Sequence, residues 1–305
     1  MTERHTHPAS PEARAELVLG VVGGSGLYEI DGLQAARQVE VETPFGRPSD
    51  AYTLGELARE GAPPLRAVFL PRHGRGHVLT PSEINYRANI HGFKQLGVTH
   101  LLSVSAVGSL REHIAPGHVV APDQFIDRST QRIATFFGNG VVAHVQMGDP
   151  VDAQLRARVV AAARAEGATV HDGGTCVVME GPAFSTRAES ELYRSWGASV
   201  IGMTALPEAK LAREAEIAYA MLALSTDYDC WHVSEAEVSV ADVIAVLHRN
   251  VALSRRIIRA LALALPARCA ELPYPRALAH AIITAPERVP AATRARLDLI
   301  LGHYL

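Results

Sequence analysis

Cysteine is scarce. The 305 residues hold 3, Cys176, Cys230 and Cys269. So odd and widely spaced a set spells neither a disulfide framework nor a metal-binding pattern, and a reducing, cytoplasmic setting is the simplest expectation. No apolar run approaches the roughly 18 residues of a membrane-spanning helix. The opening "MTERHTHPASPEARAE" lacks the apolar stretch of a signal peptide, and residues 1–16 are expected to be disordered. Neither charge sign dominates: Lys and Arg number 29, Asp and Glu 32, for a net −3. The basic residues are scattered, so neither nucleic acid nor a membrane is expected as a partner. Internal repeats and low-complexity linkers are also lacking. What remains is the composition of a globular enzyme, 48% hydrophobic and 20% charged, long enough to bury a sizeable core.

Apolar β-rich runs alternate with helical stretches. Strands are expected at residues 18–22, 65–70, 100–104, 119–121, 175–180, 199–203 and 217–225. Helices are expected at 81–96, 152–166, 185–196, 207–215 and 240–265. This alternation predicts an α/β fold, a single domain with a central mixed, mostly parallel β-sheet flanked by helices. The domain is expected over residues 17–265. Residues 266–305 read as a helical C-terminal extension, with signal at 277–285 and 291–301. It could pack on its own chain or on a neighbour.

In such folds ligands bind beyond the carboxyl ends of strands. Six strand ends here carry polar or glycine-rich clusters, which suggests one convergent site. The first is Gly23-Gly24-Ser25-Gly26, whose amides and hydroxyl suit an anion. A dinucleotide fingerprint would need a third glycine where Glu29 stands, which counts against a nicotinamide or flavin cofactor. "PRHGRGH" supplies Arg72 and His73, with His77 as a further candidate; an arginine fork suits phosphate. The same segment is equally readable as a solvated basic turn. Ser105, Ala106 and Thr204 add hydroxyl and amide donors, although a hydroxyl at a strand end is ordinarily a turn or cap residue. "STDYDCW" places Asp227 and Asp229 two apart, on one face if the segment is extended. Such a pair is either a surface turn or a reader of an amine-bearing edge such as that of adenine. Val240, Val243, Ile244 and Leu247 form one helical stripe. Core packing is the plain reading, and is preferred for Leu247.

The stretches "VVGGSGLYEIDGL", "FLPRHGRGHVLTPSEINYRANI", "SAVGSLREHIAPGHVVAPDQFIDRS", "EGPAFSTRAES", "GMTALPEAKLAREAEI" and "STDYDCWH" follow in order from about Leu17 to Leu265. Together they resemble the methylthioadenosine phosphorylase branch of the purine nucleoside phosphorylase family. The C-terminal 40 residues match no motif of it.

The resemblance implies phosphorolysis of 5′-methylthioadenosine to adenine and 5-methylthioribose 1-phosphate, with phosphate as co-substrate and no organic cofactor or metal. It implies phosphate among Ser25, Arg72, His73, Ser105, Ala106 and Thr204. Met203 would lie under the ribose and Phe184 near the base. Asp227 and Asp229 would read adenine, Asp227 protonating N7 and the pair sharing one proton. Val240, Val243 and Ile244 would line the methylthio pocket, with His144 reaching it from a neighbouring subunit of a homotrimer or of a hexamer built from two trimers. Ser25 and Ser105 stand where threonine is commoner, and both keep the hydroxyl. Gly202 stands where eukaryotic relatives carry asparagine, and "GMT" also occurs in relatives preferring 6-oxopurines such as methylthioinosine. A broader or 6-oxopurine phosphorylase is therefore the alternative, against which the two acceptor carboxylates weigh. A dinucleotide-dependent oxidoreductase and a non-catalytic nucleoside-binding protein are the rival classes.

Overall fold

The computed structural model describes residues 16–24, 27, 30, 32–59, 61–232 and 240–305, and for residues 240–248 the backbone alone. In chain order the strands and helices are β1 (Val18–Gly23), β2 (Leu33–Val39), β3 (Tyr52–Arg59), β4 (Ala62–Pro71), α1 (Tyr86–Gln95), β5 (His100–Ser109), β6 (Val119–Ala121), β7 (Gln124–Arg128), α2 (Ala153–Ala165), β8 (Val170–Asp172), β9 (Thr175–Met179), α3 (Arg187–Ser195), β10 (Val200–Gly202), α4 (Ala205–Glu214), β11 (Ala218–Asp227), α5 (Val240–Ala264) and α6 (Ala291–Leu301). Short 3-10 turns add Asp229–Trp231 and Pro286–Arg288.

The strands form one mixed sheet with the path β2-β3-β4-β1-β5-β10-β9-β7 and a branch through β11, β6 and β8. Apolar side chains alternate across it, as the period of a strand requires. Val18, Val22, Leu101, Tyr219 and Met221 face one core with Phe93 of α1 and Ala212 of α4. Leu19, Val21, Leu102, Leu222 and Leu224 face the other, with Val159 of α2 and Ile258 of α5. A smaller core joins Leu110, Val177, Tyr193 and Trp231.

Strand β5 is where the sheet opens. Strand β11 follows it in parallel from His100 to Gly108. On the other edge β1 pairs with His100 to Ser103, and antiparallel β10 pairs with Gly108 and Ser109. Residues Val104, Ser105, Ala106 and Val107 pair with neither β1 nor β10. Ala106, in the middle of a central strand, is accordingly exposed.

Several expectations need correction. The 81–96 stretch is helical only from Tyr86, because Asn85 caps it by accepting from the Ala88 amide and residues 81–84 form turns. Residues 277–285 are not helical. Their backbone is used in long-range pairing: the His144 amide donates to Ala281 O at 2.8 Å and the Ile283 amide to Val142 O at 2.9 Å. Strands β2, β3, β7 and β8 escaped the sequence reading; β2 is largely exposed and lacks an apolar run. Glu16, expected to be disordered with the residues before it, forms a β-bridge to Arg268. The C-terminal extension packs on its own chain, with Cys269 and Leu272 in one core and Leu278, Leu297 and Leu301 in the other. No helix among the described residues is long and apolar enough to cross a membrane.

Candidate active site

The opening in the sheet collects hydroxyls and buried charge. Arg72 follows β4, which ends beside β1, and its side chain turns inward to 2% exposure. An unpaired guanidinium would be costly there. Nε and Nη2 donate to the equally buried Glu208 carboxylate at 2.8 and 3.1 Å. Nη2 also reaches Ser103 Oγ at 2.7 Å, and Nη1 donates to Val104 O and Ser105 Oγ, each at 3.2 Å. Burial works against the charge, and Glu208 more than restores it, so the pKa of Arg72 is raised. Arg72 is thus a buried hub whose link to the opening runs through Ser105. The neighbouring Arg75 is exposed and pairs with Asp50 at 3.7 Å, so "PRHGRGH" splits between an inward and an outward arginine.

Ser105 accepts from Arg72, which leaves its own proton free to donate. Its Oγ lies 3.3 Å from Thr204 Oγ1. Thr204 sits at the N-cap position of α4, yet its side chain makes no capping bond. The plain reading of a capping hydroxyl therefore fails, and both hydroxyls point into the same opening. His73 Nδ1 donates to Leu79 O at 2.8 Å, a carbonyl being able only to accept. This fixes the tautomer and leaves Nε2 with a lone pair. Burial, reinforced by Arg72, lowers the His73 pKa to about 4 against the bond to Leu79. His77, exposed, stacks on the His73 ring at 4.1 Å.

The second cluster lies further along β5. Asp227 and Asp229 do not share one extended face as expected: β11 carries a bulge between Ser225 and Asp227, and Asp229 starts a 3-10 turn with φ 51°. The two are joined instead by the Asp229 amide donating to Asp227 Oδ1 at 2.8 Å. Thr226 Oγ1 donates to Asp227 Oδ2 and Ser190 Oγ to Asp229 Oδ2, at 2.7 and 2.6 Å. Trp231 Nε1 fastens the turn to Ser109 O at 2.7 Å, and Tyr228 Oη to Glu112 O at 3.1 Å. Gly108 lies against the pair: a Cβ there would come 3.2 Å from Asp227 Oδ1 and 3.3 Å from the Asp229 Cβ.

Met203, half-buried, lays its sulfur over Gly181, which has φ +68°. Phe184 is 83% exposed on the loop after β9. His144 is exposed on the loop that pairs with residues 281–283. Ser25 lies outside the described residues, as do the side chains of Val240, Val243, Ile244 and Leu247, whose backbone belongs to α5. Among the described residues no three His, Cys, Asp or Glu side chains are arranged to hold a metal ion. Sequence reasoning missed Ser103, Glu208, Ser190 and Arg132. For Ser190 the only signal was the capping-box pattern Thr186–Glu189 that sets the start of α3.

A family model described as the phosphorylase superfamily matches residues 18–262. A Geobacter sulfurreducens protein named S-methyl-5′-thioadenosine phosphorylase is 61% identical over 291 residues, 95% of this chain and 100% of the relative. The chain belongs to the methylthioadenosine phosphorylase branch of the phosphorylase superfamily. Other members of that branch are similar along nearly the same length. A Synechocystis protein of the same name is 55% identical, covering 94% of this chain and 87% of its own. The crystal structure of a methylthioadenosine phosphorylase sourced from an antarctic soil metagenomic library superposes with a TM-score of 0.85 at 46% identity, over 95% of this chain and 99% of that one. A Schistosoma mansoni methylthioadenosine phosphorylase, solved in complex with adenine, gives a TM-score of 0.73 at 37% identity, over 81% and 91%.

Proposed function

We propose that the protein is an S-methyl-5′-thioadenosine phosphorylase, a pentosyltransferase that reversibly converts 5′-methylthioadenosine and phosphate into adenine and 5-methylthioribose 1-phosphate, a salvage reaction for purine and methionine. The carrying observation is the placement of two complementary clusters along β5. Hydroxyl donors converge on Ser105, and carboxylates abut Gly108. Three residues of strand separate them by about 10 Å, the length of a ribose and purine laid along the opening.

The chemistry follows from that placement. The C1′–N9 bond breaks, a phosphate oxygen bonds C1′, and a proton reaches purine N7. Asp227 supplies that proton, and Asp229 accepts from the exocyclic amine. Ser105, Thr204, the Ala106 backbone and Ser25 hold phosphate opposite the ribose, where its charge also stabilises the cationic sugar of the transition state. Arg72 lends charge through Ser105. His73 Nε2 accepts from a protonated phosphate oxygen. Met203 supports the ribose, Phe184 covers the base, and Val240, Val243 and Ile244 wall the methylthio group. Among the described residues the Ser190 proton is already spent on Asp229, which leaves that carboxylate to accept from an exocyclic amine rather than relay a proton towards O6 of a 6-oxopurine. This favours adenine over the 6-oxopurine alternative.

The proposal needs no metal or organic cofactor. It takes His144 as a residue of a second copy's site, within a homotrimer or a hexamer of two trimers; the exposed Val142 and Ile283, on the same paired segments, supply apolar surface for that contact. Neither nucleic acid nor a membrane enters the proposal. Methylthioadenosine, methylthioinosine, inosine and adenosine, each assayed with and without phosphate and with a chelator, test the reading. Phosphate-dependent release of adenine from methylthioadenosine is expected; cleavage that does not depend on phosphate would overturn it.

A further inference from the structure

Arg132 touches neither cluster, yet its side chain is only 1% exposed and every one of its donors is spent on a site-bearing loop. Nη1 donates to Met203 O and, at 2.9 Å, to Leu206 O, the carbonyls on either side of Thr204 and Ala205. Nη2 donates to Glu180 O and, at 3.3 Å, to Met179 O, where β9 gives way to the Gly181–Phe184 loop. Nε meets Glu180 Oε1 at 3.3 Å. The Glu180 carboxylate closes the ring: it accepts from Ser82 Oγ, from the Thr130 amide at 2.5 Å and from the Gln131 amide at 3.1 Å.

One of these carbonyls lies at a break in regular backbone. Leu206 has extended backbone (φ −120°, ψ 137°) within the first turn of α4, as a residue before proline favours, so the helix does not continue regularly there. A planar fork carrying five N–H groups can meet carbonyls of two strands at once; a lysine ammonium, a point charge, cannot hold the same geometry.

We propose that Arg132 is a positioning residue that clamps the loops after β9 and β10 together, setting Met203 and Thr204 at the height on which ribose and phosphate depend. It touches no substrate. The inference rests on the phosphorylase reading for what the loops bind, and on the geometry alone for the clamp. The clamp joins the two loops but leaves the Asp227–Asp229 turn alone, since that turn is fastened by Ser109, Ser190 and Glu112.

This separation gives the test. In Arg132→Lys and Arg132→Gln, kcat/KM should fall about a hundredfold, the loss expected when reacting groups shift by an ångström. KM for both phosphate and nucleoside should rise, while adenine alone, measured by calorimetry on the same folded preparation, should lose less affinity than phosphate, because the Asp227–Asp229 turn stays fastened and only Phe184, on the clamped loop, is loosened. Amide hydrogen exchange should quicken in peptides covering 179–182 and 202–206 together. Glu180→Gln, which keeps the side-chain shape and weakens only the carboxylate contacts, should show a smaller change of the same kind. Unchanged exchange in both loops in the lysine variant would overturn the clamp, whatever the activity. So would full activity of that variant, or equal loss of adenine and phosphate binding. Failure of the wild type to release adenine in a phosphate-dependent way would instead overturn the functional reading, leaving the exchange data to judge the clamp.

Discussion

Ser105 Oγ and Thr204 Oγ1 face each other at 3.3 Å across the gap where β1 has ended and β10 has not begun. One hydroxyl is polarised by Arg72, and the other is free of any capping duty. A pair of donors held this way, 99 residues apart in sequence, is preorganised for an anion.

Ser105→Ala and Thr204→Val should therefore each weaken phosphorolysis through phosphate. Removing one preorganised donor costs about 2.7–4 kcal/mol in comparable sites, or 10²- to 10³-fold. Because the hydroxyls touch, the double variant should lose less than the product of the two losses. Steady-state kinetics over a range of phosphate concentrations checks this. Wild-type KM for phosphate in both single variants would remove the hydroxyls from the site.

Asp227→Asn should abolish most turnover of adenine nucleosides with little effect on stability, since Asp227 is exposed, the Asp229 amide can still donate to the remaining amide oxygen, and Thr226 Oγ1 can give its proton to Val107 O and accept from the new NH2. Single-turnover rates in the cleavage direction read the leaving-group step directly. A near-normal rate would assign the proton on N7 to another group.

Gly108→Ala probes the same cluster from the opposite side. A methyl there would sit 3.2 Å from Asp227 Oδ1 and 3.1 Å from Ile201 Cγ2, tighter than ordinary contact. The carboxylates must yield by a few tenths of an ångström. Adenine affinity should drop about tenfold while phosphate affinity holds, by analogy with the cost of a misplaced group. Calorimetry with each ligand separates the two, and equal weakening of both would place Gly108 elsewhere in the mechanism.

The pattern of residues already told where these groups would gather, because an apolar strand that ends in a polar cluster marks its own carboxyl end. Arg72, Ser105, Thr204 and Asp227 all follow or close such runs. What the pattern withheld was partnership. Glu208, 136 residues from Arg72, lies in an ordinary helical stretch, and only the fold shows that it is buried against a guanidinium. Arg132 reads as one of many scattered arginines until its four carbonyl partners converge. The Asp227–Asp229 geometry was misjudged because a bulge and a left-handed residue leave no local trace in "TDYDC". Strand β2 was missed for the opposite reason, since its exposed edge position removes the apolar run that betrays a strand. His144 and the 281–283 segment pair across more than a third of the chain, out of reach of any local window.

Two titrating groups should shape stability with opposite sign. His73 has a folded-state pKa of about 4 against an ordinary 6.5, through burial first. Between those values the unfolded chain holds more protons, so this group's contribution is intact above about pH 6.5 and is lost as the pH falls towards 4. Glu214 is raised from 4.5 to about 7, again chiefly by burial, against the hydrogen bonds from the Phe136 amide and Thr135 Oγ1 at 2.7 Å each. There the native state holds the extra proton, and stability declines as the pH rises from 4.5 to about 7. Urea unfolding in phosphate-free buffer at several pH values resolves the two. His73→Asn should flatten the acid-side loss, and Glu214→Gln the decline towards neutrality. If His73→Asn keeps the wild-type slope between pH 6.5 and 4, the imidazole is not the neutral, Leu79-bonded group that the proposed phosphate contact requires.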